Sequence, residues 1–239
     1  MGTQFGKLFV VATPIGNLSD ITLRALKILK SSNLILAEDT RKSGILLKHY
    51  EIDTPMKSYR DQNHERVFPK ILALLQQGNN IALVSDSGTP LISDPGFRLV
   101  KELRENNIEI ESIPGPSALV AALSISGLPT DNFTFLGFLP KGSGKREKIL
   151  STFDPACSLL GRAGRLLPST LIIYESPFRI LKLLETILKT LGNRKIFIAN
   201  ELTKKFEKTW SGDAKLLISK FETLKCKGEF VVLVAKKDF

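Results

Sequence analysis

The chain has 239 residues, 43% of them hydrophobic and 24% charged, the balance of a folded protein long enough for two modest domains that each bury a core. Cys157 and Cys226 form no C-x-x-C pair and stand at no metal-ligand spacing from His49 or His64, which argues against a zinc site or a disulfide framework. The start, MGTQFGKLFVVATPIGN, lacks a signal-peptide apolar core, and no run reaches the roughly 18 apolar residues of a membrane span, so a cytoplasmic protein is expected.

The net charge of +10 is unevenly placed, with 14 basic and 13 acidic side chains in residues 1–117 against 20 and 11 in residues 118–239. A second half at +9 favours a polyanionic partner there, because each phosphate neutralised by Lys or Arg releases condensed counterions. A soluble basic surface without a partner is the plainer alternative.

In chain order, Leu8–Ala12 predicts a buried strand, followed by a loop with Pro14 and Gly16 and a helix from Ile21 to about Leu29, capped by Ser19 or Asp20. A second strand, Asn33–Ala37, runs into the polar Glu38-Asp39-Thr40-Arg41 and an irregular stretch. Phe68, Ile71, Leu72 and Leu75 mark an amphipathic helix over Glu65–Gln77, stopped by Gly78. Ile81–Ser85 reads as a central strand that enters the aperiodic Ser85–Gly96. A helix to about Glu105 and a strand near Ile108–Ile113 lead to Pro114-Gly115-Pro116-Ser117. Strands alternating with helices in this way predict a parallel α/β sheet. A second series follows: strand Phe133–Phe138, a basic helix from Lys145, strand Thr170–Glu175, helix Pro177–Leu191, strand Lys195–Glu201, a helix near Ala214–Leu224 and strand Glu229–Ala235. Ser151–Ser169 fits neither periodicity and is read as a partly helical loop. Two α/β domains, residues 1–116 and 117–239, are expected.

In open α/β sheets, ligands sit beyond the carboxyl ends of the strands. Four loops gather there: Thr13–Asn17, Glu38–Arg41, Ser85–Pro90 and Pro114–Ala118. Glycine lets the backbone approach a ligand and proline fixes the turn, although any one of these loops alone reads as a tight turn. No G-x-S-x-G, Walker lysine, H-E-x-x-H or G-x-G-x-x-G motif is present, and His49 and His64 read as helix-surface residues. That absence suits a reaction that mainly positions an already activated cofactor.

Eight segments, Ala12–Leu26, Ala37–Arg41, Val84–Gly96, Pro114–Ala118, Ser126–Pro140, Tyr174–Arg179, Glu201–Glu207 and Gly228–Val234, together resemble the ribosomal small-subunit methyltransferase I family of the tetrapyrrole methylase superfamily. The resemblance runs in order over nearly the whole chain. It implies two α/β domains of the tetrapyrrole methylase type, a mostly parallel N-terminal sheet and a mixed C-terminal one, with S-adenosylmethionine held in the cleft between them and a homodimer as the assembly. It further implies 2′-O-methylation of a cytidine ribose in 16S-type ribosomal RNA. For the cofactor it points to Pro14, Gly88, Thr89, Pro90, Ile92, Ser117, Ala118, Tyr174 and Leu202, many through main chain. Glu175, Glu201 and Lys204, each just past a second-half strand, are the catalytic candidates. Lys204 could stabilise a developing alkoxide, act as base if desolvated, or with Lys205 only contact phosphate. Lys141, Lys145, Arg146, Arg179 and Lys205 are the candidate RNA-binding cations. Phe178 or Phe138 offers a ring for stacking on a flipped base, with Phe138 read as core. The chain departs from the family at Phe178, where histidine is common, in a longer Ser151–Ser169 connection, and in ending at Phe239 without the C-terminal extension of many relatives. A methylase of a tetrapyrrole or other small precursor, and a non-catalytic ribosome-assembly factor, are the alternatives.

Overall fold

The computed structural model describes residues 5–154, 169–225, 227–237 and 239. The chain divides into two compact units, one ending at Ser117 and the other beginning at Ala118. Residues 155–168 of the Ser151–Ser169 connection, which include Cys157, lie outside the described residues, as does Cys226.

The first unit is a five-stranded parallel sheet ordered β3-β2-β4-β1-β5, built from β1 (Leu8–Val11), β2 (Leu34–Ala37), β3 (Met56–Ser58), β4 (Ile81–Val84) and β5 (Ile110–Ile113). The central strands are apolar at nearly every position because both faces are covered. Phe9, Val11, Ile35, Ala37 and Val84 pack under α1 (Leu23–Ser31) and α2 (Thr40–His49), whereas Leu8, Leu34, Leu36, Ile81 and Leu83 pack under α3 (His64–Gln76) and α4 (Phe97–Glu105). Asn17 caps only a short 3₁₀ turn, and Thr22 rather than Ser19 or Asp20 caps α1, its hydroxyl accepting from Ala25 N at 3.1 Å. The stretch after Arg41, expected to be irregular, is α2: the Asp39 carboxylate caps it and Leu46 and Leu47 bury its inner face.

His64 is fully buried rather than on a helix surface. It starts α3, stacks on Phe68, and bridges the Tyr59 hydroxyl at 2.8 Å and the Glu102 carboxylate at 3.0 Å, so that both ring nitrogens are satisfied in the core.

The second unit is a mixed sheet ordered β6-β7-β10-β8-β9, from β6 (Phe133–Phe138), β7 (Thr170–Glu175), β8 (Lys195–Asn200), β9 (Lys208–Asp213) and β10 (Phe230–Val234). β10 runs antiparallel to both β7 and β8, so β6, β7 and β8 point the same way and end at one edge. Four helices belong to this unit: α5 (Ala118–Ile125), α6 (Ser143–Ser151), α7 (Ile180–Leu191) and α8 (Ala214–Thr223). Leu183, Leu184 and Ile187 of α7 join Leu217 and Phe221 of α8 over Ile173, Ile198 and Val232. Helix α7 begins at Ile180 rather than Pro177, because Ser176–Arg179 forms a turn. Phe138 is half exposed rather than core: a bulge between Phe135 and Gly137, where Gly137 takes φ +60°, shifts the alternation by one residue and turns the ring outward.

Candidate active site

In the first unit the site lies where the chain reverses its winding. β1 leads through α1 toward β2 on one side, and β4 leads through α4 toward β5 on the other, so the loops after these adjacent strands part and leave a crevice. Thr13 and Gly88 bridge it, Thr13 N donating to Gly88 O at 2.8 Å and Gly88 N to Thr13 O at 3.0 Å. Gly88 takes φ +77°, a left-handed conformation that glycine adopts without steric cost, and a Cβ there would meet Ile15 Cγ2 at 3.4 Å. Thr89 Oγ1 donates to Pro116 O at 3.2 Å, so three of the four expected loops meet, one pair through backbone and the other through the Thr89 hydroxyl. A cavity of about 130 Å³ opens beside them, lined by Thr13, Pro14, Leu18, Lys42, Ser43, Ile45, Leu46, Ser85 and Asp86.

The fourth loop joins through Asp86, whose carboxylate accepts from Asp39 N at 3.0 Å and from Lys42 Nζ at 2.7 Å. Arg41 grips Asp39 at 2.6 Å, and its hydrogen bonds hold that carboxyl far below the ordinary carboxylate range. Burial, then the charge of Asp86, pushes Glu38 above its ordinary value. Of the expected cofactor residues, Pro14 lines the cavity, Gly88 and Thr89 form its bridging loop, Pro90 is buried, Ile92 is 40% exposed, and Ser117 ends the unit. Sequence reasoning passed over Lys42 and Asp86; their signal was a lysine and a carboxylate within or beside the singled-out loops.

In the second unit the loops after β6, β7 and β8 share one edge. Tyr174, on β7, accepts from Leu119 N through its hydroxyl at 3.1 Å, which brings it next to Ala118. Glu175 is fully buried, its Oε1 accepting from Ser176 N at 2.7 Å and from Arg179 Nη2 at 2.6 Å, while Oε2 has no partner among the described residues. Arg179 also reaches Ser176 Oγ and Leu139 O, both at 3.3 Å, so its guanidinium ties two loops together instead of standing free for phosphate. Arg146, expected at an RNA surface, is 4% exposed and donates to Thr186 Oγ1 at 3.2 Å; it is an interior residue of the α6 and α7 packing. Lys141, Lys145 and Lys205 are exposed.

The loop after β8 is tightly wound: Glu201 and Thr203 have φ of +53° and +64°, Leu202 is buried, and Thr203 N donates to Glu207 Oε2 at 2.6 Å. Lys204 Nζ sits 2.8 Å from Glu201 Oε1. The Glu201 carboxylate lies against Gly228, at φ +78°, in space that a Cβ would occupy. Glu201 and Lys204 are thus brought together, and Glu175 makes a separate ion pair with Arg179.

Known proteins resemble this chain in sequence and in fold. Residues 7–217 match the family model for tetrapyrrole (corrin/porphyrin) methylases. The fold resembles the crystal structure of uroporphyrin-III-C-methyltransferase from Thermus thermophilus, with a TM-score of 0.62 and 19% identity over 97% of this chain and 92% of that one. Similarity in sequence is higher to ribosomal RNA small subunit methyltransferase I of Thermotoga maritima, 43% identical over 98% of this chain and all of the relative, and to that of Escherichia coli O157:H7, 44% identical over 96% of this chain and 77% of the relative. With identity of that order over nearly its whole length, the chain belongs to the ribosomal RNA small subunit methyltransferase I family of the tetrapyrrole methylases.

Proposed function

We propose that this protein transfers a methyl group from S-adenosylmethionine to the 2′-oxygen of a cytidine ribose in small-subunit ribosomal RNA. The observation that carries this reading is the end-to-end identity with relatives named for ribosomal RNA methylation. The first unit's crevice suits an adenosyl cofactor: main-chain amides and carbonyls around Thr13, Gly88 and Pro116 offer neutral hydrogen bonds, and Pro14, Leu18 and Leu46 offer apolar walls. At about 130 Å³ the cavity is smaller than the roughly 300–1,000 Å³ of a complete small-molecule site, so it holds one end of such a molecule. Pro14, Gly88, Thr89, Pro90, Ile92, Ser117, Ala118, Tyr174 and Leu202 are the residues assigned to hold it. The cofactor brings a methyl group already activated by a sulfonium charge.

The remaining work is to place the ribose oxygen in line and to manage its proton. We assign Lys204 to the developing alkoxide, with Glu201 positioning the ammonium from 2.8 Å. Glu175, buried beneath Arg179, keeps the shape of the neighbouring turn. The same reading places the protein in the cytoplasm as a homodimer. Among the described residues no helix is long and apolar enough to cross a membrane.

The test is transfer of labelled methyl groups to small ribosomal subunits, followed by digestion to nucleosides. Label in 2′-O-methylcytidine is expected. Label that enters only a carboxylated tetrapyrrole, with none in RNA, would overturn the reading.

A further inference from the structure

At the edge where β6, β7 and β8 end, three aromatic rings face solvent: Phe178 is 93% exposed, Phe206 71% and Phe138 50%. Single exposed apolar residues are ordinary, but these three follow or end strands that finish at one edge of one sheet. β6 and β8 are three strand spacings apart, about 14 Å. We propose that Phe178, with Phe138 and Phe206, forms a platform on which unpaired bases of an RNA strand stack, a proposal that rests on the RNA reading above.

Phe178 is held out, not loosely displayed. Pro177 precedes it and restricts the turn, and the Glu175 to Arg179 ion pair, 2.6 Å long with its carboxylate fully buried, closes the turn beneath it. Breaking a buried pair leaves an uncompensated charge, so the turn resists rearrangement. Arg179 also bonds Leu139 O, which ties the Phe178 turn to the end of the strand that carries Phe138. Phe138 is turned outward by its bulge and meets Tyr174 edge-on at 5.7 Å. Lys205 Nζ lies 5.7 Å from the centre of the Phe206 ring, a charge set beside a π face.

Charge chooses the occupant. Three carboxylates of this edge are engaged, Glu175 by Arg179, Glu201 by Lys204, and Glu207 by the Thr203 amide, and Glu229, exposed just before β10, stands beside Lys227 in the chain. Lys141, Lys145 and Lys205 are exposed and have no ion partner among the described residues. Bare rings among free cations suit an anionic strand with splayed bases and not an apolar protein face.

The test uses the full-length protein and a short single-stranded RNA carrying one 2-aminopurine, whose fluorescence reports stacking. Phe178→Ala should weaken binding by about 5- to 150-fold, the range of one base stacked on an aromatic ring, with a smaller fluorescence change. Phe178→Tyr should restore both. The dependence of affinity on salt should stay the same in each variant, because stacking releases no counterions. Phe133, 43% exposed at the opposite end of β6, is the control, and Phe133→Ala should bind as the wild type does. Wild-type affinity in both Phe178→Ala and Phe206→Ala would overturn the platform while leaving the RNA reading intact. A shift of Phe178→Ala to a smaller species in sedimentation would mean that a second copy of the chain covers this face, and would also overturn it. A wild-type protein that neither binds nor methylates RNA would remove the RNA reading and the platform with it.

Discussion

Gly228→Ala tests whether the seat beneath Glu201 sets the position of Lys204. The new Cβ would fall on the Glu201 carboxylate, and the backbone at φ +78° would carry a side chain in the left-handed region. The backbone cost is about 1–2 kcal/mol. The displaced Glu201 to Lys204 pair, whose side chains are 23% and 36% exposed, adds at most about 1 kcal/mol after screening. The thermal midpoint should therefore fall by only about 2–12 °C for a chain of this length. Turnover should fall further than that loss explains, because Lys204 Nζ loses the partner 2.8 Å away that fixes it. The assay pairs a melting curve with kcat at saturating cofactor and RNA, in wild-type and Glu201→Ala backgrounds. Once Glu201 is absent, Gly228→Ala should still lower the midpoint but cost no more turnover. Equal losses of kcat in both backgrounds would show that the glycine acts independently of Glu201 and would refute the reasoning.

Lys204→Ala should keep cofactor affinity by calorimetry and lose turnover by roughly 10²- to 10⁴-fold; a loss confined to KM for RNA would assign it to phosphate binding instead. Gly88→Val puts a β-branched side chain at φ +77° on the Thr13 bridge, so cofactor affinity should fall while circular dichroism stays unchanged, and an unaltered dissociation constant would contradict the assignment of this loop. Burial beside Asp86, only partly offset by Arg60 and Lys42, raises Glu38 above its ordinary value of 4.5; its contribution to stability is present below that pH and lost as pH rises through the folded value. Glu38→Gln should then gain stability over the wild type at neutral pH, with the gain vanishing in acid, and a difference independent of pH in denaturation curves would count against this. Reversing Lys141, Lys145 and Lys205 to glutamate should weaken RNA binding and flatten the plot of log affinity against log salt by about two units, since each phosphate contact on a single strand contributes about 0.7; an unchanged slope would remove these lysines from the interface.

Strands such as Leu8–Val11, Ile81–Val84 and Phe230–Val234 were legible within a residue or two because uninterrupted apolar runs between turn residues have few other homes. The helices that escaped have compositions that hide their period. α2 opens with Thr40-Arg41-Lys42-Ser43-Gly44, polar and broken by glycine, and its cap at Asp39 was the only local sign. α5 is apolar at seven of its eight positions, so no face stands out. β9 pairs at the sheet edge through Lys208, Trp210 and Gly212, a pattern that only its partner strand organises. The site loops were readable for the opposite reason: Gly88 at a positive φ and the prolines around it are required by backbone geometry that leaves a mark in sequence. What those loops bring together was not readable. Asp86 reaching Asp39 and Lys42 crosses between β2 and β4, and His64 lies between Tyr59 and Glu102 only because α3 and α4 pack side by side.

The basic residues of the second unit make the same point about charge. Composition counts Arg146, Arg179, Lys189, Lys204 and Lys236 toward its +9, yet Arg146 is interior and the other four are matched to Glu175, Glu147, Glu201 and Asp131. A cation already paired within 3.1 Å carries its partner's negative charge beside it, so it offers a phosphate less net attraction than an unpaired one. The long-range field that attracts a polyanion survives this pairing, since it depends on the excess of positive over negative charge. The contacts that hold the polyanion do not follow from the excess. On the proposed reading they fall to cations with no ion pair among the described residues, and at the carboxyl edge of the second sheet these include Lys141, Lys145 and Lys205. If RNA binds as proposed, attraction and registration are supplied by different residues: the whole unit brings the strand in, and a few unpaired lysines and rigid aromatic rings set where it lies.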